Sequence, residues 1–196
     1  MRRRNRGSGK NQLIFDRTFF VHIDKSAVSF FLDLESDMKI FIMRHGEAEV
    51  RARSDQTRHL TAYGIKQAFA QGQWLKTHLE STALDRVIVS PYIRTQETFE
   101  QVNLAFNGEL SSKMETWEGI TPYGNAETVA DYFSVLRDEG LTSVLMISHL
   151  PLVGEVVAEL YGKRNPISFY PATIAQLDWS AQKAHIEIHK YSAEML

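Results

Sequence analysis

Three short apolar runs set the terms for this chain: Ile40-Phe41-Ile42-Met43, Val87-Ile88-Val89 and Val144-Leu145-Met146-Ile147. Unbroken runs of this length, with no polar side chain to face solvent, are the pattern of strands buried on both faces of a parallel sheet. Helical stretches lie between them, and strands alternating with helices predict a mostly parallel sheet with helices on both faces. Each run also ends in polar side chains. The first passes into Arg44-His45-Gly46-Glu47, the second into Ser90 with Arg94 a turn later, the third into Ser148-His149. Open α/β sheets bind ligands in the crevice beyond the carboxyl ends of their strands, so these residues are expected on one rim. Gly46 there permits a sharp turn or the close approach of a ligand.

The segments between the runs can be read in turn. Thr61 is placed to cap a helix over 61 to about 80, with Ile65, Ala68, Phe69, Gly72, Trp74 and Leu75 as its apolar face. Pro91 suits the first turn of a helix from 92 to about 106. Residues 107–124 are punctuated by Gly108, Gly119, Pro122 and Gly124, with a short strand expected near 114–117. Asn125 caps a third helix that ends at Gly140, and Pro151 opens a fourth that Gly162 closes. Residues 173–179 and 185–191 alternate apolar with polar, as half-exposed edge strands do. The fold class expected is α/β: one domain over 38–196, a mostly parallel sheet flanked by helices on both faces, and an antiparallel edge near the C-terminus.

Composition narrows the function. The chain of 196 residues has no cysteine, which excludes disulfides, thiolate metal sites and thiol nucleophiles. A formal net charge of -2 gives no support to a whole-surface nucleic-acid or membrane binder. No apolar run approaches the ~20 residues that span a bilayer. The start is basic, with Arg2, Arg3, Arg4 and Arg6, but four arginines are weak support for a nucleic-acid arm. Asp16 and Arg17 interrupt any signal-peptide core, and Asp16, Asp24, Asp33, Glu35 and Asp37 are too acidic for an organelle presequence. Residues 1–37 are therefore expected to be a disordered extension or translated leader, with Met38 as the native start. Leu34-Glu35 can be encoded with a ribosome-binding GGAG just upstream of the Met38 codon, and the intact mass of protein from the native host tests this.

Two imidazoles and at least two guanidiniums on one rim suit a phosphoryl group. Guanidinium forks bind its oxygens, and a neutral imidazole can attack phosphorus. The arginines disfavour imidazolium and so help keep His45 neutral. They also repel cations, and neither His45 nor His149 has a carboxylate or thiol at ligand spacing, so no metal and no cofactor are expected. His22, His59, His78, His185 and His189 are expected to have no chemical role.

Arg44-His45-Gly46 after a buried strand, the run from Ser90-Pro91-Tyr92-Ile93-Arg94 to Thr98, and Ile147-Ser148-His149 resemble the histidine phosphatase superfamily, whose fold is that of phosphoglycerate mutase. Within it, the Met-Arg-His-Gly start and the run from Val144 to Gly154 are most similar to the bacterial SixA-type phosphohistidine phosphatases. The resemblance implies that His45 accepts the phosphoryl group covalently. It also implies that Arg44, Arg94 and Arg58 bind phosphate and that His149 stabilises the transferring oxygens. Candidates for a proton donor are Glu47, Glu115 and Glu118. The implied substrate is a phosphohistidine-bearing protein, a phosphotransfer domain or carrier in cytoplasmic signal transduction, met by a monomeric hydrolase. The competing readings are a small phosphate ester as substrate and a phosphoprotein-binding module without turnover.

Overall fold

In the computed structural model, residues 37–79, 83–180 and 184–191 are described. They belong to one compact unit, Glu35–Leu196. The expectations about a leader fall on residues outside the described ones. Six strands form one sheet: β1 (Met38–Arg44), β2 (Arg86–Val89), β3 (Met114–Thr116), β4 (Ser143–Ser148), β5 (Ile174–Trp179) and β6 (Ala184–Lys190), in spatial order β3-β2-β4-β1-β5-β6. The first four in that order run parallel, while β5 and β6 are antiparallel to their neighbours. The expected architecture is the observed one.

Strand side chains alternate, so each central strand feeds two cores. Ile40, Ile42, Ile88, Val144 and Met146 pack with α3 (Ala126–Asp138) and α4 (Leu152–Tyr161). Phe41, Met43, Val87, Val89, Leu145 and Ile147 pack with α1 (Ala62–Leu79) and α2 (Ile93–Ala105) on the other face. This two-sided burial accounts for the unbroken apolar runs. The predicted caps are present: the Gly64 N–H donates to Thr61 Oγ1 at 3.0 Å, and the Thr128 N–H to Asn125 Oδ1 at 2.9 Å. Gly162 closes α4 with φ 66°, a value that favours glycine.

Three expectations need correction. The buried stripe of α1 is Gly64, Gln67, Ala68, Gln71, Gly72, Leu75 and Leu79, whereas Ile65 is exposed. Both glutamines hide from the apolar pattern because they bond to backbone groups: Gln67 Oε1 accepts the Glu47 N–H at 2.9 Å, and Gln71 Nε2 donates to the Ala172 carbonyl at 2.6 Å. Next, β5 is no edge strand. It lies between β1 and β6, and its polar Gln176 is buried because it bonds to His78 at 2.6 Å and Asp178 at 2.8 Å. Only β6 has the exposed alternation of an edge. Finally, Gly46 is required by its own protein. A Cβ there would stand 2.5 Å from the Gly64 carbonyl oxygen, so it is the first turn of α1 that comes close.

Candidate active site

Register brings the polar strand ends together. Arg44 pairs with Ser148 and Val89 with Ile147, so β1, β4 and β2 stop side by side. The ladder runs one residue further at each tip: the His45 N–H donates to the Ser148 carbonyl at 3.0 Å, and the Ser90 N–H to the Ile147 carbonyl at 3.2 Å. The imidazole centroids of His45 and His149 are 5.2 Å apart. Both are buried, with exposures of 7% and 1%.

The tautomer of His45 follows from its partners. Nδ1 lies 2.7 Å from the Gly46 carbonyl, which can only accept, so Nδ1 carries the proton. Nε2 then holds a lone pair, and Arg94 Nε donates to it at 3.2 Å. Burial is the largest cause that pushes the His45 imidazole down to about 3, aided by Arg94, Arg44 and Arg58 against the pull of the Gly46 carbonyl. Near neutral pH the imidazole is uncharged and nucleophilic.

His149 is tuned the same way, by burial first, then by His45 and the arginines, to about 2. Its Nε2 lies 2.8 Å from Ser90 Oγ, while Nδ1 is buried without a partner. Assigning the Ser90 hydroxyl proton to this bond gives His149 the Nδ1–H tautomer, a donor free for an incoming oxygen. The Tyr92 ring holds the neighbourhood in place, edge-on to His149 with centroids 4.9 Å apart and under the Arg94 guanidinium at 4.9 Å.

Three guanidiniums surround this pair. Arg44 Nη1 donates to the Phe169 carbonyl at 2.7 Å, and its Nε is buried and unpartnered. Arg94, only 3% exposed, starts α2. Thr98 ties its turn to β1, accepting the Gly46 N–H at 3.1 Å and donating to the Arg94 carbonyl at 2.6 Å. Arg58 reaches in from the loop between β1 and α1. It shares the Asp55 carboxylate with Arg94, at 3.0 Å to each. One carboxylate against three guanidiniums leaves the crevice positive, as burial and mutual repulsion, which lower the pKa of Arg44, also indicate.

All five predicted basic residues thus converge. The acids are dispersed: Glu47 accepts from Thr61 Oγ1 at 2.8 Å, and Glu115 is engaged by Arg86 and Tyr132, both at 2.6 Å. Glu118 lines a small cleft with Gln56, Pro91 and Tyr92. Sequence reasoning missed Asp55, Thr98 and the Phe169 carbonyl. Thr98 stands at the end of the run that begins at Ser90, without a role assigned to it there, and Asp55 left a fainter trace, a carboxylate three residues before Arg58 inside a Ser-x-x-Thr turn.

Parallel strand tips that carry two neutral imidazoles among guanidiniums make a crevice chemically suited to a phosphoryl group. The chain belongs to the histidine phosphatase superfamily: the model of its branch 1 matches residues 40–143. A phosphohistidine phosphatase SixA homolog of Haemophilus influenzae is 68% identical over 158 residues, 79% of this chain and 96% of that protein. The Escherichia coli phosphohistidine phosphatase SixA is 41% identical over 140 residues, 71% of this chain and 84% of its own. The solved structure of the protein histidine phosphatase SixA complexed with tungstate superposes with a TM-score of 0.75 at 36% identity, covering 81% of this chain and all of that one.

Proposed function

We propose that this chain is a protein phosphohistidine phosphatase acting through a covalent phospho-His45. The observation that carries the reading is the unprotonated Nε2 of His45, aimed by the Gly46 carbonyl and enclosed by guanidiniums. In the first step a bond forms from this Nε2 to phosphorus as the bond from phosphorus to the partner's imidazole nitrogen breaks. The leaving nitrogen takes a proton from solvent. In the second step water attacks phospho-His45, releasing inorganic phosphate and restoring the imidazole. Arg44, Arg94, Arg58 and the Nδ1–H of His149 hold the oxygens on which charge develops; losing one such donor costs on the order of 3 kcal/mol.

The support for a phosphohistidine-bearing protein partner comes from the relatives, which are named phosphohistidine phosphatases. That partner is a phosphotransfer domain or carrier of the cytoplasm, met by a monomer. Among the described residues no helix is long and apolar enough to cross a membrane. Glu118, which lines a cleft with Tyr92, is the acid that would serve an ester with a poorer leaving group.

The test offers purified protein and its His45→Ala variant a phosphohistidine-bearing phosphotransfer domain and a panel of small phosphate esters. Dephosphorylation of the domain that disappears in His45→Ala is the expected result. Activity that survives in the variant removes the nucleophile, and activity confined to esters moves the substrate class.

A further inference from the structure

Each nitrogen of the Arg94 guanidinium already donates to a group of this protein itself. Nε covers the lone pair of His45 at 3.2 Å, Nη2 meets Asp55 Oδ2 at 3.0 Å, and Nη1 meets the Asp55 carbonyl at 2.5 Å. The other carboxylate oxygen of Asp55 holds Arg58 Nη1 at 3.0 Å. One carboxylate thus bridges two of the three arginines as a bound oxyanion would. It approaches from the solvent side, for its side chain is 45% exposed while that of Arg94 is 4% exposed. Burial favours the neutral acid, but the hydrogen bonds and charges of Arg58 and Arg94 outweigh it and hold Asp55 ionised.

We propose that Asp55 is an internal substitute for the substrate's phosphoryl group, occupying the Arg94–Arg58 fork in the resting site and leaving when a phosphoryl group arrives. The proposal rests on the reading of this crevice as a phosphoryl site and adds a residue that sets its affinity. A tetrahedral dianion displaces Asp55 because it offers more oxygens and more charge to the same donors, together with Arg44 Nε and His149 Nδ1, which have no partner in the resting site. Its arrival draws Arg94 Nε onto a phosphoryl oxygen and uncovers the His45 lone pair. The nucleophile is therefore capped until the group it attacks is in place.

An internal competitor reduces the apparent affinity for every external ligand by the fraction of molecules in which the fork is open. Two ion pairs that share a half-exposed carboxylate are expected to make that factor about tenfold. The experiment measures binding of inorganic phosphate and of sulfate by calorimetry to the wild type, Asp55→Asn and Glu49→Gln. Glu49 is the control, since it lies on the same loop and its carboxylate also carries one negative charge. Asp55→Asn should bind both anions about tenfold more tightly, with Glu49→Gln within about twofold of the wild type. Weaker or unchanged binding in Asp55→Asn overturns the proposal, because a residue that merely braces Arg94 would lower affinity when removed. An equal gain in Glu49→Gln overturns it too, as a general charge effect. If folded wild type and Asp55→Asn both take up no oxyanion, the phosphoryl reading of the crevice falls with it. A measurement on the wild type alone guards against a variant that does not fold. With saturating phosphate, the titration of the Asp55 carboxyl by NMR should return to the usual carboxylate range, and an unaltered titration overturns the proposal.

Discussion

Acid should weaken this protein through the two buried imidazoles of the crevice, His45 and His149. In the folded state His45 is held near 3 and His149 near 2, while in the unfolded chain each takes up a proton near 6.5. From pH 6.5 down to about 3 the unfolded state therefore binds more protons than the folded state. Stability rises with pH across this window and falls on acidification. Between pH 7 and pH 5, protonation of one unfolded imidazole stabilises the unfolded chain by about 1.9 kcal/mol. The figure does not depend on the folded values as long as they stay below about 4. Two imidazoles give about 4 kcal/mol, a large share of the roughly 5–15 kcal/mol that holds a domain together. His59 works the other way, since Glu97 raises its pKa, but it is common to every variant compared. Urea unfolding at pH 7 and pH 5 measures the effect in the wild type, His45→Asn and His149→Gln. Each variant should lose about 1.9 kcal/mol less than the wild type over that interval. Variants with an undiminished loss would refute the argument that the crevice holds these rings neutral.

Three further outcomes are expected. Arg94→Lys keeps the charge but loses the fork that reaches His45 and the phosphoryl oxygens together, so kcat on a phosphohistidine protein should fall about 10²–10³-fold in steady-state assays. Ser90→Ala removes the bond that sets the His149 tautomer, and kcat should fall roughly tenfold or more with KM little changed; an unaltered kcat counts against the Nδ1–H assignment. Gly72→Ala puts a methyl group 2.8 Å from Val102 Cα where α1 crosses α2, and should cost about 1–3 kcal/mol in thermal or urea unfolding.

The legible part of the fold is the part in which one strand shows one environment. β1, β2 and β4 are apolar on both faces and announce themselves, and with them come the crevice and its basic residues. β5 misled because Gln176 and Asp178 imitate the alternation of an exposed strand while bonding to each other and to His78. α1 misled likewise, its buried Gln67 and Gln71 bonding to backbone groups outside the helix. Long-range pairing of polar side chains leaves no local period to read. Asp55 was obscured for another reason: in a loop rich in charge, one carboxylate among several arginines looks solvated until the loop is folded onto Arg94.

The crevice also leans on a segment with no recognisable motif. The Arg44 guanidinium rests on the Phe169 carbonyl at 2.7 Å, and the carbonyl of His45 accepts the Ala172 N–H at 2.9 Å, with Ala172 at φ 58° to present it. β5, immediately after, covers the flank of β1 that β4 leaves open. All three signature runs end by Gly154, yet the carbonyl that holds Arg44, the N–H that meets the His45 carbonyl and the strand that flanks β1 all come later in the chain. A chain ended at Gly154 would carry every basic residue of the crevice without the backbone that props it.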